Sequence, residues 1–115
     1  MEVNEASMKM KVRKLKPSKI SKLMKKKNIF ILDVRPKDFK RDSSFIPGSI
    51  HCPLLNLTER YHDFPKDKEI VITDWAMRQS TLAAKYLIKE GYKVIGVLKG
   101  GIERWKHDKF PTENR

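Results

Sequence analysis

Ile29-Phe30-Ile31-Leu32-Asp33-Val34 is apolar throughout except for one acid near its end, and its reading decides the fold. A strand with one wet face alternates apolar and polar residues; this one shows no wet face. It therefore reads as a strand buried on both sides in a parallel sheet. Glu69 to Thr73 and Lys93 to Leu98 have the same character. Parallel neighbours need crossover connections, and the intervening sequence supplies helices for them. Pro17-Ser18 opens one, with Ile20, Leu23 and Met24 at helical spacing and lysines opposite. Leu54, Leu57 and Tyr61 mark a second that stops before Pro65. A third runs from about Ser80 to Glu90 with Leu82, Ala83, Tyr86 and Leu87 inward and Gly91 as its C-cap. Gly100-Gly101 opens the last, which carries Trp105.

Shorter features complete the pattern. Met8, Met10 and Val12 alternate with Lys9, Lys11 and Arg13, the period of a half-exposed strand whose lysines discourage edge pairing. A polar helical stretch follows Pro36, and Ile46-Pro47-Gly48-Ser49-Ile50 reads as a turn leading into a short strand. Strands alternating with helices predict an α/β fold with a parallel sheet covered on both faces. The 115 residues form one domain, 1–115, with 1–8 and 111–115 as tails.

With 39% hydrophobic and 35% charged residues, the composition is that of a soluble globular protein. No apolar run approaches the roughly 20 residues that span a bilayer, and the basic N-terminus lacks an apolar core, so the expected compartment is the cytoplasm. The single cysteine, Cys52, excludes an internal disulfide, and the three histidines are scattered. Neither a metal nor a cofactor is expected. The formal charge of +12 is uneven: residues 1–27 hold ten Lys/Arg against two Glu. The excess is almost all lysine without interleaved aromatics, which disfavours nucleic acid; a membrane is disfavoured too.

Leu32–Arg35, Phe45–Ile50 running on to Pro53, the loop Asp74–Ser80, and Leu98–Ile102 with Trp105 and Pro111, taken in their order and spacing, resemble the rhodanese-like domain. Leu32-Asp33-Val34-Arg35 is similar to that family's Asp-x-Arg strand end. Phe45-Ile46-Pro47-Gly48-Ser49-Ile50, running on to Pro53, resembles its His-Ile-Pro-Gly-Ala-Ile segment. Leu98-Lys99-Gly100-Gly101-Ile102, with Trp105 and Pro111, resembles its closing Gly-Gly…Trp…Pro signature. The fourth is the loop Asp74-Trp75-Ala76-Met77-Arg78-Gln79-Ser80. The resemblance implies a three-layer α/β/α sandwich around a five-stranded, mainly parallel sheet, with a sulfurtransferase site in this loop. In active members a cysteine opens the loop and a Ser begins the next helix. Arg78, Gln79 and Ser80 match a Gly-Arg-Gln-Ser variant, but Asp74 occupies the cysteine position and Met77 the usual glycine position.

A loop between a parallel strand and a helix N-terminus directs its N–H groups inward and suits an anion. A thiolate there is nucleophilic and polarisable; a carboxylate oxygen fits the electrostatics but cannot carry sulfane sulfur. Asp74 is thus expected to accept N–H bonds from its own loop, and Met77 to disturb the ring or narrow its mouth. Arg78 suits an oxyanion, and Trp75 is expected at the rim as a lid or contact residue. Cys52 reads as a small core hydrophobe, and Asp33 and Arg35 as partners of each other or of loop backbone beside the site.

The expected function is a catalytically silent rhodanese-like module, not an enzyme, that binds or regulates a protein partner in sulfur metabolism or signalling. A small anion in the loop is a further expected ligand. Two alternatives stand beside it. One is an enzyme using the loop, either for sulfane-sulfur transfer or with Asp74 as nucleophile or base. The other is polyanion binding through the lysine-rich N-terminal segment.

Overall fold

The computed structural model describes residues 11–26, 28–37 and 42–115. Its main elements are β1 (Lys14–Leu15), α1 (Pro17–Lys26), β2 (Ile29–Asp33), β3 (Ser44–Phe45) and β4 (Ile50–His51), then α2 (Leu57–Arg60), β5 (Glu69–Thr73), α3 (Ser80–Lys89), β6 (Val94–Leu98), α4 (Gly101–His107) and β7 (Glu113–Asn114). Single 3-10 turns, Leu54–Asn56 and Tyr61–Asp63, flank α2, so the helix expected over this stretch is broken into three short pieces.

Five strands form one sheet in the order β1-β6-β5-β2-β4, every neighbouring pair parallel. The central pairing sets Ile31 against Val71 and Leu32 against Ile72. Successive side chains on a strand point to opposite faces. Ile31 and Val71 accordingly join a core cluster with Ile20 of α1 and Ile102 and Trp105 of α4. Leu32 and Ile72 join the other, with Leu57 of α2 and Ala83, Ala84 and Leu87 of α3. The result is three layers, α1 and α4 on one face and α2 and α3 on the other. Trp75 packs beside Trp105's cluster, whereas Tyr61, Tyr86 and Tyr92 all belong to the opposite one.

Some local expectations need correction. Among the described residues of the alternating pattern, 11–13 are not strand, and β1 runs instead over Lys14–Leu15, just after the Arg13 carbonyl accepts from Val97 N–H at 2.9 Å. Met8, Met10 and the polar stretch at 38–41 lie outside the described residues. On α3 the buried stripe is Ser80, Ala83, Ala84 and Leu87; Leu82 faces solvent at 37% exposure. That stripe is a clean i, i+3, i+4, i+7 set, and the larger Leu82 lies one position off it.

The segment 111–115, expected as a tail, is tied down although exposed. β7 pairs antiparallel with β3, and Arg115 N–H reaches the Ser43 carbonyl at 3.1 Å. Trp105 Nε1 donates to the Pro111 carbonyl at 2.7 Å and stacks against Phe110, their centroids 5.0 Å apart. Among the described residues no helix is long and apolar enough to cross a membrane.

Asp42 joins this small sheet to α4. Its carboxylate accepts from Ser44 N–H at 2.8 Å, from Ser44 Oγ at 2.6 Å and from Lys106 Nζ at 2.8 Å. Burial raises its pKa, but the Lys106 and Ser44 bonds outweigh this and lower it from 3.8 to about 2. A carboxylate whose folded pKa lies below its unfolded value stabilises the fold above the unfolded pKa and loses that contribution as pH falls through the folded one. Urea titrations should therefore show the wild type losing stability relative to Asp42→Asn as pH falls from about 4 towards about 2. Parallel pH profiles would show that the contact carries no linkage.

Candidate functional site

The loop 74–80 leaves the C-terminal end of the central strand β5 and feeds α3. Asp74 is 2% exposed, and its carboxylate points back into its own loop. Met77 N–H donates to Oδ1 at 2.5 Å; Gln79 N–H and Ser80 N–H donate to Oδ2 at 2.5 and 3.0 Å. The inward N–H groups thus converge on one side-chain anion, as the strand–loop–helix geometry leads one to expect. Bonds to an ionised acceptor are the strong ones, and here they also offset the cost of burying the charge.

Met77 shows why glycine suits its position. Its φ is +71°, in the left-handed region that L side chains visit at a cost of roughly 1–2 kcal/mol. The expected disturbance of the ring does not follow, because Met77 N–H still bonds Asp74. The side chain instead packs on the core, and its thioether Sδ accepts Gly100 N–H at 2.9 Å.

The loop is also held from its other side, by a feature that the sequence carried only as part of a family signature. Ile102 N–H donates to the Asp74 carbonyl at 2.8 Å and Glu103 N–H to the Trp75 carbonyl at 3.1 Å. The first turn of α4 therefore caps the start of the loop. Gly101 makes this approach possible: a Cβ there would lie 2.4 Å from the Trp75 carbonyl oxygen and 2.7 Å from that of Asp74. Its φ of +64° adds a second reason for glycine. The same approach draws Trp75 inward. It is half-buried against the Leu15–Trp105 cluster rather than standing at the rim as a lid.

The remaining loop residues differ in role. Ala76 is half-buried and Arg78 is exposed. Gln79 borders a groove of about 410 Å³ with Pro36, Lys37, Pro53, Leu54, Leu55 and Asn56, in which Leu55 is 92% exposed. Ser80 is fully buried, and its Oγ has no hydrogen-bond partner among the described residues.

Asp33 and Arg35 lie at the end of β2, beside the start of the loop, where Val34 N–H donates to the Thr73 carbonyl at 3.0 Å. They pair with each other. Arg35 Nη2 meets Asp33 Oδ2 at 2.7 Å, Nε sits 3.1 Å from both carboxylate oxygens, and Nη2 also donates to the Ser44 carbonyl at 2.6 Å. Cys52 has no exposed surface, and burial pushes its thiol pKa up, only partly countered by Arg60. A raised pKa and no access make a poor nucleophile. Among the described residues no cluster of His, Cys, Asp and Glu comes together to hold a metal ion.

Comparison with known proteins agrees with this architecture. The family model described as "Rhodanese-like domain" matches residues 16–108. The thiosulfate sulfurtransferase GlpE of Coxiella burnetii is 31% identical over 84 residues, 73% of this chain and 78% of that protein. A sulfurtransferase of Allochromatium vinosum is 28% identical over 85 residues, 73% of this chain and 78% of its own. The rhodanese-related protein of Thermoplasma volcanium superposes with a TM-score of 0.79 at 25% identity, covering 88% of this chain and 97% of that one. Fold and relatives agree, and the chain belongs to the rhodanese-like domain family.

Proposed function

We propose that this rhodanese-like domain has lost the sulfur-transfer reaction and serves as a non-catalytic binding or regulatory module in sulfur metabolism or signalling. The observation that carries the reading is the bonding of Met77, Gln79 and Ser80 N–H to the Asp74 carboxylate. Sulfur transfer needs a thiolate that attacks a sulfane sulfur, holds it as a persulfide and releases it. At the loop position that resembles the family's cysteine stands a carboxylate, which fills the anion cradle and forms no persulfide. Cys52, the chain's single cysteine, is sealed in the core on the β4 side of the sheet.

On this reading Asp74 is a fixed internal ligand. It keeps the loop in the shape that a bound anion would otherwise impose, so the surface around Arg78, Gln79 and Leu55 is presented ready-formed. A module that binds through this surface needs the loop's shape and not its chemistry.

A thiosulfate:cyanide sulfurtransferase assay tests the loss of chemistry. The unmodified protein and Cys52→Ser are both expected to show no turnover above buffer, with Asp74→Cys assayed alongside as the restored thiol. Turnover by the unmodified protein that persists in Cys52→Ser would end this reading.

The cradle itself predicts a second outcome. Asp74→Ala leaves the Met77, Gln79 and Ser80 N–H groups unpaired and should cost about 1.5–3 kcal/mol in chemical denaturation. Sulfate or thiosulfate should then raise the Tm of the variant while leaving the wild type unmoved, since only the variant has room for the ion. Equal response of both proteins would mean that Asp74 does not occupy the anion position. Arg35→Ala, by contrast, strands the buried Asp33 and should cost about 3–5 kcal/mol with no rescue by added anion.

A further inference from the structure

Residues 11–26 carry eight cations, Lys11, Arg13, Lys14, Lys16, Lys19, Lys22, Lys25 and Lys26, and no acid. All eight are exposed, and none forms an ion pair with a described residue. The body of the domain behaves differently, with Arg35, Lys106 and Arg104 each holding a carboxylate. The unpaired charge is also concave. Arg13, Lys14, Lys16, Lys19 and Lys22, with Leu15 and Ser18, line a groove of about 380 Å³ between β1 and the start of α1.

β1 is the outer strand of the sheet, with β6 on its inner side. The Arg13 and Leu15 carbonyls accept from Val97 and Lys99, at 2.9 and 2.8 Å. With Lys14 in register opposite Val97, this alternation turns the Lys14 N–H and carbonyl outward, away from β6, and Lys14 is one of the residues lining the groove. The site therefore offers two things at once: a row of ammonium groups and a strand edge that no other described strand pairs with.

We propose that this groove binds an acidic, extended polypeptide segment of a partner protein, laid along β1 with its carboxylates against Lys14, Lys16, Lys19 and Lys22. An exposed edge accepts an added strand through main-chain bonds, and flanking charges select its composition. Other polyanions fit less well. A bilayer surface calls for an apolar helix face to insert, and the apolar side of α1 is already committed, Ile20 being 1% exposed in the core with Met24 packed beside it. Nucleic acid is served by guanidinium forks and stacking aromatics, whereas this patch has a single arginine and no aromatic residue. This proposal is independent of the reading of the Asp74 loop.

The experiment uses the full chain and a fluorescein-labelled poly-glutamate peptide, followed by fluorescence anisotropy. Binding is expected at low salt and should weaken by about tenfold or more between about 50 and about 200 mM salt. The triple reversal Lys14→Glu, Lys19→Glu, Lys22→Glu should lose at least about tenfold in affinity, while Lys89→Glu, on α3 and outside the lining of the groove, stays within about twofold of wild type. The reversed side chains are exposed, and circular dichroism checks that the fold is kept. Hydrogen exchange should show new protection of the Lys14 amide when the peptide is bound. The proposal is overturned if Lys89→Glu weakens binding as much as the triple reversal or if the Lys14 amide gains no protection. Tighter binding of duplex DNA or phosphatidylserine vesicles through the same lysines would also overturn it.

Discussion

One loop gripped on two sides, its own N–H groups on the Asp74 carboxylate and those of α4 on its first carbonyls, is the constraint on which the upper end of this sheet depends. Asp74 closes the turn between the central strand and α3 from within. The first turn of α4 closes it from without, through Ile102 and Glu103. Neither grip suffices alone: the loop's N–H groups face inward and its first carbonyls outward, so each set needs its own partner. The tightness of the outer grip depends on Gly101, whose missing side chain lets helix and loop backbone approach within reach of a hydrogen bond.

Two buried acids in this molecule are compensated in different ways. Asp33 is matched by a cation, Arg35, which in turn reaches the Ser44 carbonyl and so couples the main sheet to the small β3–β7 sheet. Asp74 is matched, among the described residues, by hydrogen bonds from peptide N–H groups. A salt bridge made of side chains gives up if either partner is replaced. A cradle of main-chain donors depends on no second side chain.

Much of this was legible in the sequence because it follows from local pattern. The runs at Ile29, Glu69 and Lys93 are apolar on both faces, and only a doubly covered parallel strand has that requirement. The convergence of N–H groups on Asp74 follows from a strand end, a short loop and a helix start, all visible as periodicity. What the sequence concealed depends on contacts distant along the chain. Trp75 sits mid-loop and looks like a rim residue until α4 is known to draw the loop inward. Pro111 to Arg115 looks like a tail because its pairing partner, Ser44-Phe45, lies about seventy residues earlier. On α3 the stripe Ser80, Ala83, Ala84 and Leu87 is buried and Leu82 is exposed, a choice between adjacent helical faces that is made by contact with the sheet and that no helical wheel contains.

The separation of the core into two faces has an optical consequence. Both tryptophans, Trp75 and Trp105, belong to the cluster beneath α1 and α4, and all three tyrosines belong to the cluster beneath α2 and α3. Each half of the interior therefore carries its own fluorophore. Emission excited at the red edge sees only the tryptophan side, while tyrosine emission and its energy transfer across the sheet see the other. The chain thus contains a natural pair of reporters able to tell whether the two halves of its core melt together or in turn.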